Sequence, residues 1–169
     1  MGSAVLLTGR PGVGKTTAIR RIVAALGREA GGFYTQEIRA GGRRQGFKII
    51  TLDGREAILA HVTIKGPPRI GQYGVDLAAL ESVGVGSLYH AIERQALVVI
   101  DEIGPMEIRS AAFREAVQAA LRSGSPVLGS IMQRPDPFAD AIKALPGVTV
   151  LEVTRQNRDD MPARILELL

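Results

Sequence analysis

Residues 4–17 read Ala-Val-Leu-Leu-Thr-Gly-Arg-Pro-Gly-Val-Gly-Lys-Thr-Thr, a stretch that leaves the chain little choice of fold. Ala4 to Leu7 is a short apolar run suited to a buried strand, and it breaks into a glycine-rich loop. Beyond the loop Ala18, Ile19, Ile22, Val23 and Leu26 recur at helical spacing, with Gly27 placed to end the helix. Gly9, Gly14, Lys15 and Thr16 fill G-x-x-x-x-G-K-[ST] in the strand–loop–helix setting that gives this pattern its meaning, a phosphate-binding loop. Gly9, Gly12 and Gly14 let backbone N–H groups turn inward towards phosphate oxygens, and the helix N-terminus adds partial positive charge. Lys15 then reaches the β- and γ-phosphates, and the Thr16 hydroxyl is placed to hold Mg²⁺. The stretch expected to touch nucleotide is Gly9, Arg10, Pro11, Gly12, Val13, Gly14, Lys15, Thr16 and Thr17.

A second landmark answers the first. Leu97-Val98-Val99-Ile100 is a continuous apolar run ending in Asp101-Glu102. A strand buried on both faces of a parallel sheet reads this way, and ligands of such sheets bind beyond the carboxyl ends of the strands. Asp101 fits the group that holds Mg²⁺ opposite Thr16, and Glu102 the group that orients or deprotonates an attacking water.

Further buried strands are expected at Pro126–Ile131 and Val148–Val153, with amphipathic helices at Phe113–Leu121, Asp136–Leu145 and Met161–Leu169. Ser130 and Gln133 are candidates to sense the γ-phosphate beside Asp101. In the loop after the last strand, either Asn157 and Arg158 touch the nucleotide or Asn157 or Asp159 caps the terminal helix. Residues 33–62 change texture: Phe33–Arg39, Phe47–Leu52 and Glu56–Val62 are strand-like and separated by turns, Asp53-Gly54 among them. They predict a small antiparallel insertion that extends the sheet edge or flaps over the nucleotide. Residues 63–75 are rich in Pro and Gly and read as a loop carrying Lys65 and Arg69. Asp76 is expected to cap a helical stretch through Glu81, followed by another at Gly86–Gln95.

The 169 residues suit one α/β domain spanning 1–169. A formal charge of +4, from 21 Lys and Arg against 17 Asp and Glu, suits an anionic ligand but is too mild and scattered to indicate nucleic acid. With no cysteine there is neither a disulfide nor a thiolate metal site, and His61 and His90 lack metal-ligand spacing. No apolar run reaches the length of a membrane span, and the chain runs at once into its first strand, so a cytoplasmic protein is expected, and separately a monomer.

Taken together, Gly9–Thr17, Gly32-Phe33-Tyr34-Thr35 with Glu37 and Arg39, Gly46-Phe47, Gly71–Val75, Asp101–Glu107, Phe113 and Asn157-Arg158-Asp159 resemble one family nearly end to end. It is the small nucleoside-triphosphatase family first described from thermophiles, whose human member is called the cancer-related nucleoside-triphosphatase. The resemblance implies a RecA-like sheet and slow, Mg²⁺-dependent hydrolysis of ATP, GTP, CTP and UTP to the diphosphate and phosphate. It places the nucleotide site at Gly9–Thr16 with Asp101 and Glu102.

Two other readings stay open on the residues alone. A nucleotide or nucleoside kinase would share the phosphate loop, and Arg43, Arg44, Arg55 and Arg69 keep it in view; Glu102, a water-activating carboxylate, argues against it. A nucleotide-dependent switch or nucleic-acid-associated ATPase would need motifs this chain lacks and has few aromatic residues to serve. For hydrolysis the catalytic set is Lys15, Glu102 and a charge-stabilising arginine, Arg158 first and Arg10 or Arg134 after it.

Overall fold

The computed structural model describes residues 2–169. The chain opens with β1 (Ala4–Thr8) and α1 (Lys15–Leu26), then β2 (Ala30–Ala40), β3 (Arg43–Thr51), β4 (Glu56–His61), β5 (Arg69–Ile70) and β6 (Tyr73–Val75). A helical run follows: α2 (Leu77–Ala79), a π-helical stretch (Leu80–Val85) and α3 (Gly86–Glu93). Next come β7 (Leu97–Ile103), α4 (Ala111–Arg122), β8 (Val127–Ile131), α5 (Pro137–Lys143), β9 (Val148–Glu152) and α6 (Met161–Leu166).

The strands form one nine-stranded sheet in the order β5-β6-β4-β3-β2-β7-β8-β1-β9. From β2 to β9 every pairing is parallel, and from β2 outwards to β5 every pairing is antiparallel. The acidic strand β7 is separated from the phosphate-loop strand β1 by β8, which is the RecA-like arrangement. The apolar runs are buried on both faces because successive side chains point to opposite sides. Val5, Leu7, Leu97 and Val99 pack with Ile19, Ile22 and Ile165 of α1 and α6, while Leu6, Val98 and Ile100 pack with Leu88, Phe113 and Val117 of α3 and α4.

The antiparallel pairing of β2 begins at Phe33, as expected, and because Ala30–Phe33 of the same strand pair in parallel with β7, it extends the core sheet instead of forming a separate flap. Three expectations need correction. Residues 63–75, read as loop, contain the short hairpin β5–β6, which adds to β4. The turn expected over 40–46 shrinks to Gly41-Gly42, both with positive φ (58° and 74°), which suits a two-residue hairpin turn. The two helical stretches after Asp76 run together through the π-helical segment.

Candidate functional site

Parallel strands bring the carboxyl ends of β1, β7, β8 and β9 to one edge, and the functional side chains gather there. Gly9, Gly12 and Gly14 have φ of 143°, 76° and 114°, angles that side-chain-bearing residues rarely adopt. At Gly9 space forbids a side chain as well, since a Cβ there would lie 2.6 Å from the Val153 carbonyl oxygen. The first turn of α1 carries no acidic residue, so its positive end faces the loop uncompensated. The Lys15 ammonium donates to the carbonyls of Gly9 (2.7 Å) and Arg10 (3.2 Å), which holds it across the loop.

Behind the loop, the Thr16 hydroxyl donates to Asp101 Oδ2 at 2.6 Å, and the Ser130 hydroxyl donates to Asp101 Oδ1 at the same distance. Asp101 is only 2% exposed. Burial pushes its carboxyl above the usual range, against the pull of the Ser130 and Thr16 hydroxyls and of Lys15. The register between β7 and β8 shifts between Ile100 and Ile103, so a bulge carries Asp101 and Glu102 at the sheet edge. Ser130 thus lies beside Asp101, where a residue near the γ-phosphate was expected, with its hydroxyl committed to that carboxylate. Gln133 reaches Glu152 at 3.4 Å instead.

Glu102 lines the same hollow as Lys15, Thr16 and Asp101. Its carboxyl is raised by burial first and by the Asp101 charge second, with Lys15 opposing. Gly104 makes room for it: a Cβ at 104 would fall 2.6 Å from Glu102 Oε1. Glu107, 3% exposed, lines the adjoining hollow with Glu102, and burial together with the Glu102 charge pushes its carboxyl well up. Lys15 opposes the charge of Asp101 and Glu102, with Arg20 acting on Asp101 as well, and Glu107 adds a third carboxyl group nearby.

The far wall of the site comes from the antiparallel strands. Thr35, Glu37 and Phe47 line both hollows, and Arg44 lines the second together with Gly9, Lys15, Glu102 and Arg134. Alternation along β2 puts Thr35 and Glu37 on one face, a pattern visible in sequence. Which face meets the phosphate loop depends on strand order, which the sequence does not spell out. Glu107 and Phe47 likewise carry no local mark of the site.

On the other flank, Arg10, Pro11, Gly12 and Val13 line a groove with Glu152 to Gln156. The Arg158 side chain passes over the loop, its Cδ 3.6 Å from where a Cβ of Gly14 would be. The Asn157 amide ties the loop together, its Oδ1 accepting from the Thr154 N–H (2.8 Å) and its Nδ2 donating to the Glu152 carbonyl (2.9 Å). Arg69, from the 63–75 stretch, donates to the carbonyls of Ile64 and Gln72 within that same stretch.

Among the described residues no three His, Cys, Asp or Glu side chains cluster as a metal site. Thr16 and Asp101 offer two hard oxygens side by side, donors of the kind that could take part in holding a divalent cation. No helix among the described residues is long and apolar enough to cross a membrane.

A family model described as NTPase matches residues 4–166. The nucleoside-triphosphatase THEP1 of Thermotoga petrophila is 48% identical over 165 residues, covering 98% of this chain and 92% of that protein. The same-named protein of Thermotoga maritima is 46% identical, covering 98% and 94%. The crystal structure of THEP1 from Aquifex aeolicus superposes with a TM-score of 0.90 at 36% identity, covering 98% of both chains. The solution structure of a human cancer-related nucleoside triphosphatase superposes with a TM-score of 0.83 at 38% identity, covering 98% of this chain and 96% of that one.

Proposed function

This chain belongs to the nucleoside-triphosphatase family and hydrolyses nucleoside 5′-triphosphates, and we propose that it does so with Lys15, Glu102 and Arg158 as its working side chains. The observation that carries this reading is the convergence of Lys15, the Thr16–Asp101 pair and Glu102 on one hollow at the end of β1 and β7. The glycine-turned amides of Gly9–Gly14, with Arg10, Pro11, Val13 and Thr17 around them, cradle the phosphates. Lys15 leaves the loop carbonyls for the β- and γ-oxygens. Thr16 and Asp101 would hold Mg²⁺, which supplies neutralisation of β,γ-phosphate charge when bound.

Glu102 orients a water and takes its proton as the water oxygen bonds to the γ-phosphorus and the bond to the bridging oxygen breaks. A positive side chain at the leaving diphosphate steadies the charge that develops, and the Arg158 stem over Gly14 supports that residue in this role. Asn157 supports the loop that carries Arg158.

We extend the proposal to one domain spanning 1–169, acting as a cytoplasmic monomer on ATP, GTP, CTP and UTP alike. The groove beside Pro11 and Val13 supports broad base tolerance, since it is walled by the phosphate loop and the flexible side chains Arg155 and Gln156 rather than by a closed, base-shaped pocket. The test is phosphate release with Mg²⁺ from each of the four nucleotides, wild type beside Glu102→Gln. Release from all four that is nearly lost in the variant is the expected result; tight binding without release would overturn it.

A further inference from the structure

Arg44 occupies a position that the pleat of its strand does not provide by itself. Along β2 and β3 the pairs run Glu37 with Phe47 and Ile38 with Gly46, and then the register slips so that Arg39 pairs with Arg44. Gln45 is the extra residue, and its carbonyl accepts from the Val62 N–H at 2.9 Å. In an unbroken ladder Gln45 would share the face of Glu37 and Phe47, and Arg44 would point away. The bulge re-aims Arg44 into the cleft.

Once there, the side chain is held from several sides. Its guanidinium carbon lies 5.1 Å from the Phe47 ring centre and 5.6 Å from that of Tyr73. Its Nε donates to the Tyr73 hydroxyl at 2.8 Å and its Nη1 to Glu37 at 3.2 Å. The Glu37 pair is an exposed one, with both side chains 40% accessible, and such pairs are weak and readily exchanged. Glu37 also keeps a second cation, Arg39, at 2.8 Å, so losing Arg44 does not strand it. The cleft this guanidinium faces contains Lys15 and Glu102.

We propose that Arg44 is a further catalytic residue, delivered by the bulged hairpin to the terminal phosphate, where it stabilises charge as the phosphoryl group passes to water. This rests on the hydrolysis reading above. The water oxygen bonds to the γ-phosphorus, its proton goes to Glu102, and the bond to the bridging oxygen breaks. Arg44 exchanges Glu37 for the γ-oxygens while Tyr73 and Phe47 keep its plane. The planar fork suits phosphate oxygens, and an ammonium in its place would not reproduce it.

The test compares Arg44→Ala, Arg44→Lys and Arg43→Ala with wild type in steady-state phosphate release, binding of fluorescent ADP, and capture of ADP with aluminium fluoride as a transition-state mimic. Arg43 is the control: it is adjacent, exposed and of the same charge, and lines no part of the cleft. We expect both Arg44 variants to lose about 10²–10³-fold in kcat. ADP binding and melting temperature should stay near wild type while capture of the aluminium fluoride complex is lost, and Arg43→Ala should behave as wild type. Turnover of Arg44→Lys and Arg44→Ala close to wild type would overturn the proposal. So would equal losses in Arg43→Ala, or loss of ADP binding in step with rate. If wild type itself releases no phosphate, the hydrolysis reading fails, an outcome separate from any difference among the variants.

Discussion

Thr16 and Asp101 stand 85 residues apart in the chain and 2.6 Å apart in the fold, with the hydroxyl donating to the carboxylate. As the proposed holders of one Mg²⁺, the two should not have additive effects when removed. Thr16→Ala and Asp101→Asn are each expected to cut Mg²⁺-dependent phosphate release by about 10²–10³-fold. The double variant should be little slower than the worse single one. A Mg²⁺ titration of release rate in the three variants checks this.

Glu102→Gln preserves size and hydrogen-bonding capacity but removes the proton acceptor proposed above. Loss of a general base predicts a fall in kcat of about 10²–10⁴-fold. Nucleotide affinity, measured with a non-hydrolysable analogue, should be unchanged or tighter.

Lys15 makes two hydrogen bonds to its own loop, to the carbonyls of Gly9 and Arg10. Lys15→Ala therefore loosens the loop as well as removing a charge from the phosphates. Both the KM for ATP and kcat should worsen, and kcat/KM should fall by more than about 10²-fold. Initial-rate measurements over a range of ATP concentrations separate the two.

Gly104 lies against the Glu102 carboxyl, with a Cβ at 104 placed 2.6 Å from Oε1. Gly104→Ala should displace Glu102 without disturbing the phosphate loop. Misplacing a reacting group by about 1 Å costs up to about 10²-fold in rate, so turnover should fall while ADP binding stays. Parallel rate and binding assays distinguish this from misfolding.

Glu107 gives a pH signature in stability. Its carboxyl is raised in the folded protein by burial and by Glu102, so the folded state binds this proton more tightly than the unfolded chain does. Its favourable contribution is complete below the unfolded-chain value and is lost as pH rises through the raised one. Glu107→Gln should thus melt higher than wild type at alkaline pH, with the gap closing on acidification. Each unit of the raise is worth about 1.4 kcal/mol. Melting curves of both proteins taken from acidic to alkaline pH measure it.

Much of this was legible in the residues. The strand, loop and helix at 4–26 and the apolar run ending at Asp101-Glu102 are local patterns that need no knowledge of neighbours, and both stand in the structure where the sequence puts them. The wall of the cleft was not legible, because Thr35, Glu37 and Phe47 face it only through the order β3-β2-β7. Arg44 was harder still. Strict alternation points it the wrong way, and a one-residue slip in register carries no local mark in the chain. Residues 69–75 hid a hairpin because two strands of two and three residues show no period to detect.

The strand order also governs when the enzyme can come into being. Among the described residues β1 pairs with β8 and β9 alone, so it waits for residues 127–131 before it gains its first neighbour and for 148–152 before it gains its second. Strands β2 to β6 need only nearby partners for their antiparallel ladders and can pair early in synthesis. The phosphate loop at the tip of β1 is therefore held by the sheet only once β8 has been made, well after the antiparallel strands have found their partners.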